Sequence, residues 1–285
     1  MPGKVLFALL SGCIALFVPV CTHKRGTPGL WGLDGAGNVY RWNPSKKKLE
    51  KAPGLMAHIA EGADGDLWGL NTNHQIFHYA PTQKDWYRDA GSLTSLSIGS
   101  LKNAWGLDAE GNVFHYKPDY DVWASIPGKL AQISAAADGT VWGIGKSGRP
   151  YRLDARAKNW TAMPNRLSRI VVGSAARIWG LDASHKIVQF DTVRQDWEVI
   201  PGDLVQLAVG PIGDVWGVDK AGQGYRFDPS SKTFANVPGS FASIAVSANG
   251  IAWGINRSTG EISWFDSATQ TWKDIGAALA QIAVG

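Results

Sequence analysis

Residues 203–239 read DLVQLAVGPIGDVWGVDKAGQGYRFDPSSKTFANVPG. Four short β-rich runs alternate here with turn formers, and each is a strand candidate. They are Leu204 to Val209, Val215 to Val218, Tyr225 to Asp228, and a run beginning at Phe234 and ending in Pro238-Gly239. Gly213 punctuates the first connection and Asp219-Lys220-Ala221-Gly222 the second, where glycine supplies the positive φ of a tight hairpin. The stretch is one of seven. Trp-Gly occurs at residues 31, 68, 105, 142, 179, 216 and 253, a spacing of 37 residues that never slips. Such a period marks a supersecondary unit stacked repeatedly, because one unit cannot bury its own apolar face. Four strands per unit, with no helical period, describe one antiparallel blade of a β-propeller.

The expected architecture is therefore all-β: a seven-bladed β-propeller of seven 37-residue repeats over residues 27–285. The array opens at Gly29-Leu30-Trp31, inside a second strand, and stops at Gly285 after a first strand. The N- and C-terminal strands are expected to complete one blade together, which closes the ring and removes exposed edges. First strands are expected at Leu55 to Ala60, Leu93 to Ile98, Leu130 to Ala135, Leu167 to Val172, Leu204 to Val209, Phe241 to Val246 and Leu279 to Val284. Their small residues suit a crowded axis, and the polar column His58, Ser95, Gln132, Arg169, Gln206, Ser243 and Gln281 is expected to line a polar channel. In the last copy Asn256-Arg257-Ser258-Thr259-Gly260 carries one extra residue, tolerable in a turn.

The third strands align as Tyr40-Arg41-Trp42, Phe77-His78-Tyr79, Phe114-His115-Tyr116, Tyr151-Arg152-Leu153, Val188-Gln189-Phe190 and Tyr225-Arg226-Phe227. Strand alternation sends the central polar side chain to the face opposite its neighbours, toward the cleft between blades. Aromatic faces stack on the C–H surfaces of sugars and planar donors reach hydroxyls, so Arg41, His78, His115, Arg152, Gln189 and Arg226 are candidate carbohydrate-binding residues. Long side chains lying across each blade with wet tips satisfy the same pattern. The seven Trp-Gly tryptophans read as packing. The fourth-strand set Trp86, Trp123, Trp160, Trp197 and Trp272, replaced by Leu49 and Phe234 in two copies, offers stacking surfaces or fills the gap between blades.

The recurring string Val215-Trp216-Gly217-Val218-Asp219, then Tyr225-Arg226-Phe227-Asp228-Pro229, then Val237-Pro238-Gly239, with Leu67-Trp68-Gly69-Leu70 and Trp123-Ala124-Ser125-Ile126-Pro127-Gly128 as further examples, resembles the tectonin repeat over residues 27–285. The resemblance implies a β-propeller lectin akin to tectonin, tachylectin and fish-egg lectins. Such proteins bind glycans on microbial surfaces, lipopolysaccharide among them, or O-methylated sugars, through repeated sites in innate defence. A protein-interaction scaffold without sugar binding is the alternative, and a propeller hydrolase or lyase a lesser one.

The first 26 residues hold Lys4, Lys24 and Arg25, no acidic residue, and an apolar run from Val5 to Val20. This reads as an export leader, implying a secreted or cell-surface protein whose only membrane contact is that segment if retained. Three fates stay open: cleavage, retention as an anchor, and lipidation at Cys13 in Leu10-Ser11-Gly12-Cys13. Without the leader, 25 basic residues face 24 acidic ones, so the basic pI of 9.0 does not signal nucleic acid. Lys46 to Lys48 reads as a solvated turn. Cys13 and Cys21 both lie in the leader, so the repeats carry neither disulfide nor thiolate site. His74 and His78 are too far apart on a strand to share a metal, and no phosphate loop or nucleophile elbow occurs. The reading is non-enzymatic, with no cofactor.

Overall fold

The computed structural model describes residues 29–154 and 156–285. The leader reading falls on residues outside that set. Every repeat forms a four-stranded antiparallel meander, and the only helix among the described residues is a single 3-10 turn, Leu101–Asn103. Five sheets are separate. Two repeats join in a seven-stranded sheet because Thr233–Val246 serves as the fourth strand of one meander and the first of the next. Strand Gln281–Val284 pairs with Leu30–Leu33, Leu30 opposite Val284 and Leu33 opposite Gln281, so strands from the two ends of the chain share a sheet. Successive first strands touch: His58–Glu61, Ser95–Ile98, Gln132–Ala135, Arg169–Ser174, Gln206–Val209, the end of Thr233–Val246, then Gln281–Val284, which touches His58–Glu61 again.

Turn chemistry sets the hairpins. After the second strand an Asp or Asn, in every repeat but the fourth, where Gly145 stands, accepts backbone N–H groups of its own turn, as Asp34 does from Ala36 and Asn38, both at 2.9 Å. The turn then needs a left-handed residue, met by Gly37, Gly111, Gly148, Gly222 and Gly260 but by His74 and His185 in two repeats. The outer hairpin uses Asn43, Asp154, Asp191, Asp228 and Asp266 in the same capping role.

Six of the seven first strands begin two or three residues later than the apolar runs suggest, while the sixth runs continuously through Phe241. In five repeats the leading Leu turns inward to cover the glycine of Trp-Gly. A Cβ on Gly106 would stand 2.5 Å from Leu93 Cδ1, one on Gly143 2.3 Å from Leu130 Cδ1, and one on Gly32 2.1 Å from Leu279 Cδ1. Met56 and Phe241 occupy the corresponding place over Gly69 and Gly254. The recurring glycine is thus a packing requirement. The tryptophan beside it crosses to the following sheet: Trp68 meets Tyr116 and Trp123 edge-on, Trp142 meets Phe190 and Trp197, and Trp216 meets Phe265 and Trp272. The core is a series of such seams between neighbouring sheets.

The inner polar column departs from expectation at its glutamines. Gln132 donates to the Ile170 carbonyl at 3.0 Å and accepts from its N–H at 3.1 Å, and Gln206 does the same with Ile244. Gln281 reaches the Ile59 carbonyl at 3.1 Å. These amides imitate a peptide and pair with the next first strand, because neighbouring first strands diverge too far for a direct backbone ladder there.

Candidate functional site

Cross-strand register decides the site. Trp31 lies opposite Arg41, Trp68 opposite His78, Trp105 opposite His115, Trp142 opposite Arg152, Trp179 opposite Gln189 and Trp216 opposite Arg226. Paired residues share a face of the pleat, so each third-strand polar side chain lies against a Trp-Gly indole. The imidazoles of His78 and His115 stack parallel on Trp68 and Trp105, centroids 4.0 and 4.1 Å apart. The guanidiniums of Arg41 and Arg226 stand 5.4 Å from the ring centres of Trp31 and Trp216, within cation–π range. In the seventh repeat Trp264 faces Trp253.

A residue two places before the tryptophan completes the arrangement in several repeats, and the sequence did not single it out. Asp66 accepts from Trp68 Nε1 at 2.5 Å and stands 2.7 Å from His78 Nε2. Asn103 accepts from Trp105 Nε1 at 2.7 Å while His115 approaches the Lys102 carbonyl at 3.1 Å. Asp214 pairs with Arg226 at 2.9 Å. Burial lowers the His115 pKa, and the nearby Lys117 charge adds to that against the bond to Lys102. Beside Arg41 and Trp31 stands Glu61, whose carboxyl burial pushes up from 4.5 to about 8 although the Gly285 N–H and the Arg41 charge both oppose the rise.

The fourth-strand tryptophans are brought into the seams and not onto the third-strand cations. Trp86, Trp160 and Trp197 donate Nε1–H to the carbonyls of Pro53, Pro127 and Pro164 in the preceding repeat, at 2.9, 3.0 and 3.1 Å. Trp123 and Trp272 pack edge-on against Trp68 and Trp216. Trp197 is buried and the other four are half-buried.

One seam opens into a cleft of about 270 Å³ that contains Trp142 and Arg152. Its walls include Asp138, Thr140, Leu153, Phe190 and Thr192. Trp142 is 1 % exposed, yet its Nε1–H has no hydrogen-bond partner among the described residues. The indole N–H groups of Trp179 and Trp216, at the same position of later repeats, are likewise without a partner among the described residues, and a buried donor left so costs roughly 1–3 kcal/mol. Arg152 holds Gln195 Oε1 at 3.1 Å, and Asp138 Oδ2 is engaged by the Ala175 N–H at 2.7 Å. Aromatic walls, a guanidinium edge and threonine hydroxyls suit a neutral polyhydroxylated ligand. No group of three or more His, Cys, Asp or Glu side chains suited to a metal ion occurs among the described residues.

Successive antiparallel meanders with aromatic seams define a repeat protein of the propeller kind. The chain belongs to the Tectonin domain family, whose model matches residues 21–159 and 153–285. No curated protein matches it in sequence. Two solved propellers share the fold. A structure described as YCF48 bound to D1 peptide is 14 % identical, covers 79 % of this chain and 84 % of its own, with a TM-score of 0.59. The structure of U3-55K is 9 % identical over 89 % of this chain and 90 % of its own, with a TM-score of 0.62.

Proposed function

We propose that the chain is a seven-bladed propeller closed by its terminal strands, acting as a non-catalytic lectin for surface glycans. Support for closure comes from the sheet shared by Gln281–Val284 and Leu30–Leu33 and from the renewed contact between the last and first inner strands. Support for sugar binding comes from family membership and above all from one observation: the cleft in which Trp142 and Arg152 stand together with Asp138 and the hydroxyls of Thr140 and Thr192. Arg41, His78, His115, Gln189 and Arg226 repeat the indole-plus-polar pairing around the array. Several weak sites on one body raise avidity for a glycan-coated surface by orders of magnitude. In this reading residues 1–26 direct the protein to the exterior or cell surface, with Cys13 as the lipidated residue if the leader is kept that way.

A glycan array carrying bacterial lipopolysaccharides and O-methylated sugars tests the proposal. Selective binding that Arg152→Ala weakens several-fold agrees with it; a folded protein that binds nothing on the array refutes it. A scaffold reading has its own observation. Tyr120, Val193 and Ile212 are 78, 90 and 63 % exposed, and all three sit in connections at the same end of the meanders. The propeller resembled by this chain in the YCF48 structure is described with a bound peptide. A blank array with capture of a single protein partner, lost when these three side chains are replaced by Ser, would favour that reading.

A further inference from the structure

At the opposite end of the meanders, among the turns that follow the second strands, lies a larger cleft of about 580 Å³. One of its walls is a phenylalanine where other seams carry an indole. In three seams a fourth-strand tryptophan, Trp86, Trp160 or Trp197, crosses to the preceding repeat and donates to a proline carbonyl. In two of them the indole also covers the glycine after that proline: a Cβ on Gly54 would meet Trp86 Cδ1 at 3.1 Å, and one on Gly128 would meet Trp160 Cδ1 at 2.8 Å. The next position in the series after Trp197, 37 residues on, is Phe234, in the same register opposite Phe227 as Trp197 is opposite Phe190. A benzene ring is shorter than an indole and has no N–H. The site of a Cβ on Gly202 is approached only by Ile187 Cδ1 within 4 Å and no aromatic ring reaches it, as at Gly91, which only Ile76 approaches; Phe234 and Gly202 both line the cleft.

The floor is apolar, formed by Ile187, Leu204 and Phe234. The rim carries both signs of charge, Asp203 and Lys220, with a second carboxylate, Asp219, engaged by the Tyr225 hydroxyl at 3.2 Å. His185 stands at the rim with its Nδ1 3.7 Å from Asp203 Oδ1, held at φ 66° in a turn position that five other repeats give to glycine. A left-handed non-glycine residue is uncommon and costs of order a kcal/mol or more, and such strain concentrates where a side chain has a use.

We infer that this cleft binds a small indole-bearing zwitterion, a tryptophan-like amino acid. Its ring lies beyond the shorter Phe234 ring, against Gly202, with its N–H on the Pro201 carbonyl that no side-chain indole reaches in this seam. Its ammonium faces Asp203 and its carboxylate Lys220. The volume falls in the range of small-molecule pockets and leaves room for those substituents beyond the ring. The inference is independent of the glycan reading, since the two clefts lie at opposite ends of the sheets and share no residue.

Titration of the full chain with L-tryptophan, followed by calorimetry, tests it. One molecule is expected to bind per chain. Phe234→Trp, which restores the built-in indole, is expected to weaken binding at least about tenfold while raising the thermal midpoint. The exposed changes Asp203→Asn and Lys220→Ala should each weaken binding several-fold and leave the midpoint unchanged, so the inference stays testable should Phe234→Trp fold poorly. No heat with tryptophan at millimolar concentration would overturn the inference. So would equal affinity for wild type and all three variants, or binding of N-acetyltryptophanamide as tight as of tryptophan, which would deny the charged rim its part.

Discussion

Replacing Gly106 by Ala adds a single methyl group at a position with no room for it. The new Cβ would lie 2.5 Å from Leu93 Cδ1, 3.0 Å from the Ser95 carbonyl oxygen and 3.2 Å from Leu93 Cδ2. Leu93 is 1 % exposed and packed in the seam with Trp68, Leu96 and Tyr116, so it cannot swing aside freely. Forcing an extra methyl into a filled core costs about 1–3 kcal/mol. Leu93→Ala alone should cost about 2–5 kcal/mol through lost burial and the cavity left behind. The double variant relieves the closest clash, so its cost should fall short of the sum by about 1 kcal/mol or more, a coupling typical of residues in direct contact. The residual approach to Ser95 keeps the rescue incomplete. Urea unfolding followed by tryptophan fluorescence measures all three. A Gly106→Ala protein as stable as wild type, or strictly additive costs, would refute the account of why Trp-Gly recurs.

Two further predictions concern the inner ring. His58 stands where Gln132, Gln206 and Gln281 form their clamps, and its Nδ1 is buried with no partner among the described residues. His58→Gln should reach the Leu96 backbone and stabilise by about 1 kcal/mol, read as a higher urea midpoint. Burial also depresses the His58 pKa below 6.5, so only the unfolded chain takes up a proton near that value; wild type should lose stability as pH falls below about 6.5 and the Gln variant should lose less. Glu61 has the opposite sign. Its folded pKa of about 8 exceeds the ordinary 4.5, so between those values the folded chain holds a proton that the unfolded chain has released, and stability falls as pH rises through the window. Glu61→Gln should flatten that slope in denaturation midpoints taken from pH about 5 to about 8; an unchanged slope would show that Glu61 ionises freely.

The strand count and the column of polar third-strand residues were both open to reading from the chain alone, for the same reason. A period of 37 residues and an alternation of two are local facts, and the four turn signals of residues 203–239 sit within a few residues of the strands they join. Alternation placed Arg41 and His78 opposite their aromatic neighbours in the strand, and the structure puts both on Trp-Gly indoles. The role of Asp66 was hidden: within Asp64-Gly65-Asp66 it reads as turn chemistry, yet its carboxylate joins Trp68 and His78, a residue twelve positions away.

The unit is legible residue by residue, its four strands, their hairpins and the face on which each polar residue stands, because these follow from backbone geometry and near neighbours. What each unit's side chains meet is set by packing between repeats. Trp86 finds Pro53 across 33 residues, Gln132 finds Ile170 across 38, and Gln281 finds Ile59 across 222. The same 37-residue pattern yields a filled seam at Trp160, an indole donor without a partner at Trp142, and an open cleft at Phe234. Those outcomes depend on which acceptor stands near an indole and on how much of a seam one side chain fills, relations that exist only once the strands and repeats are packed together.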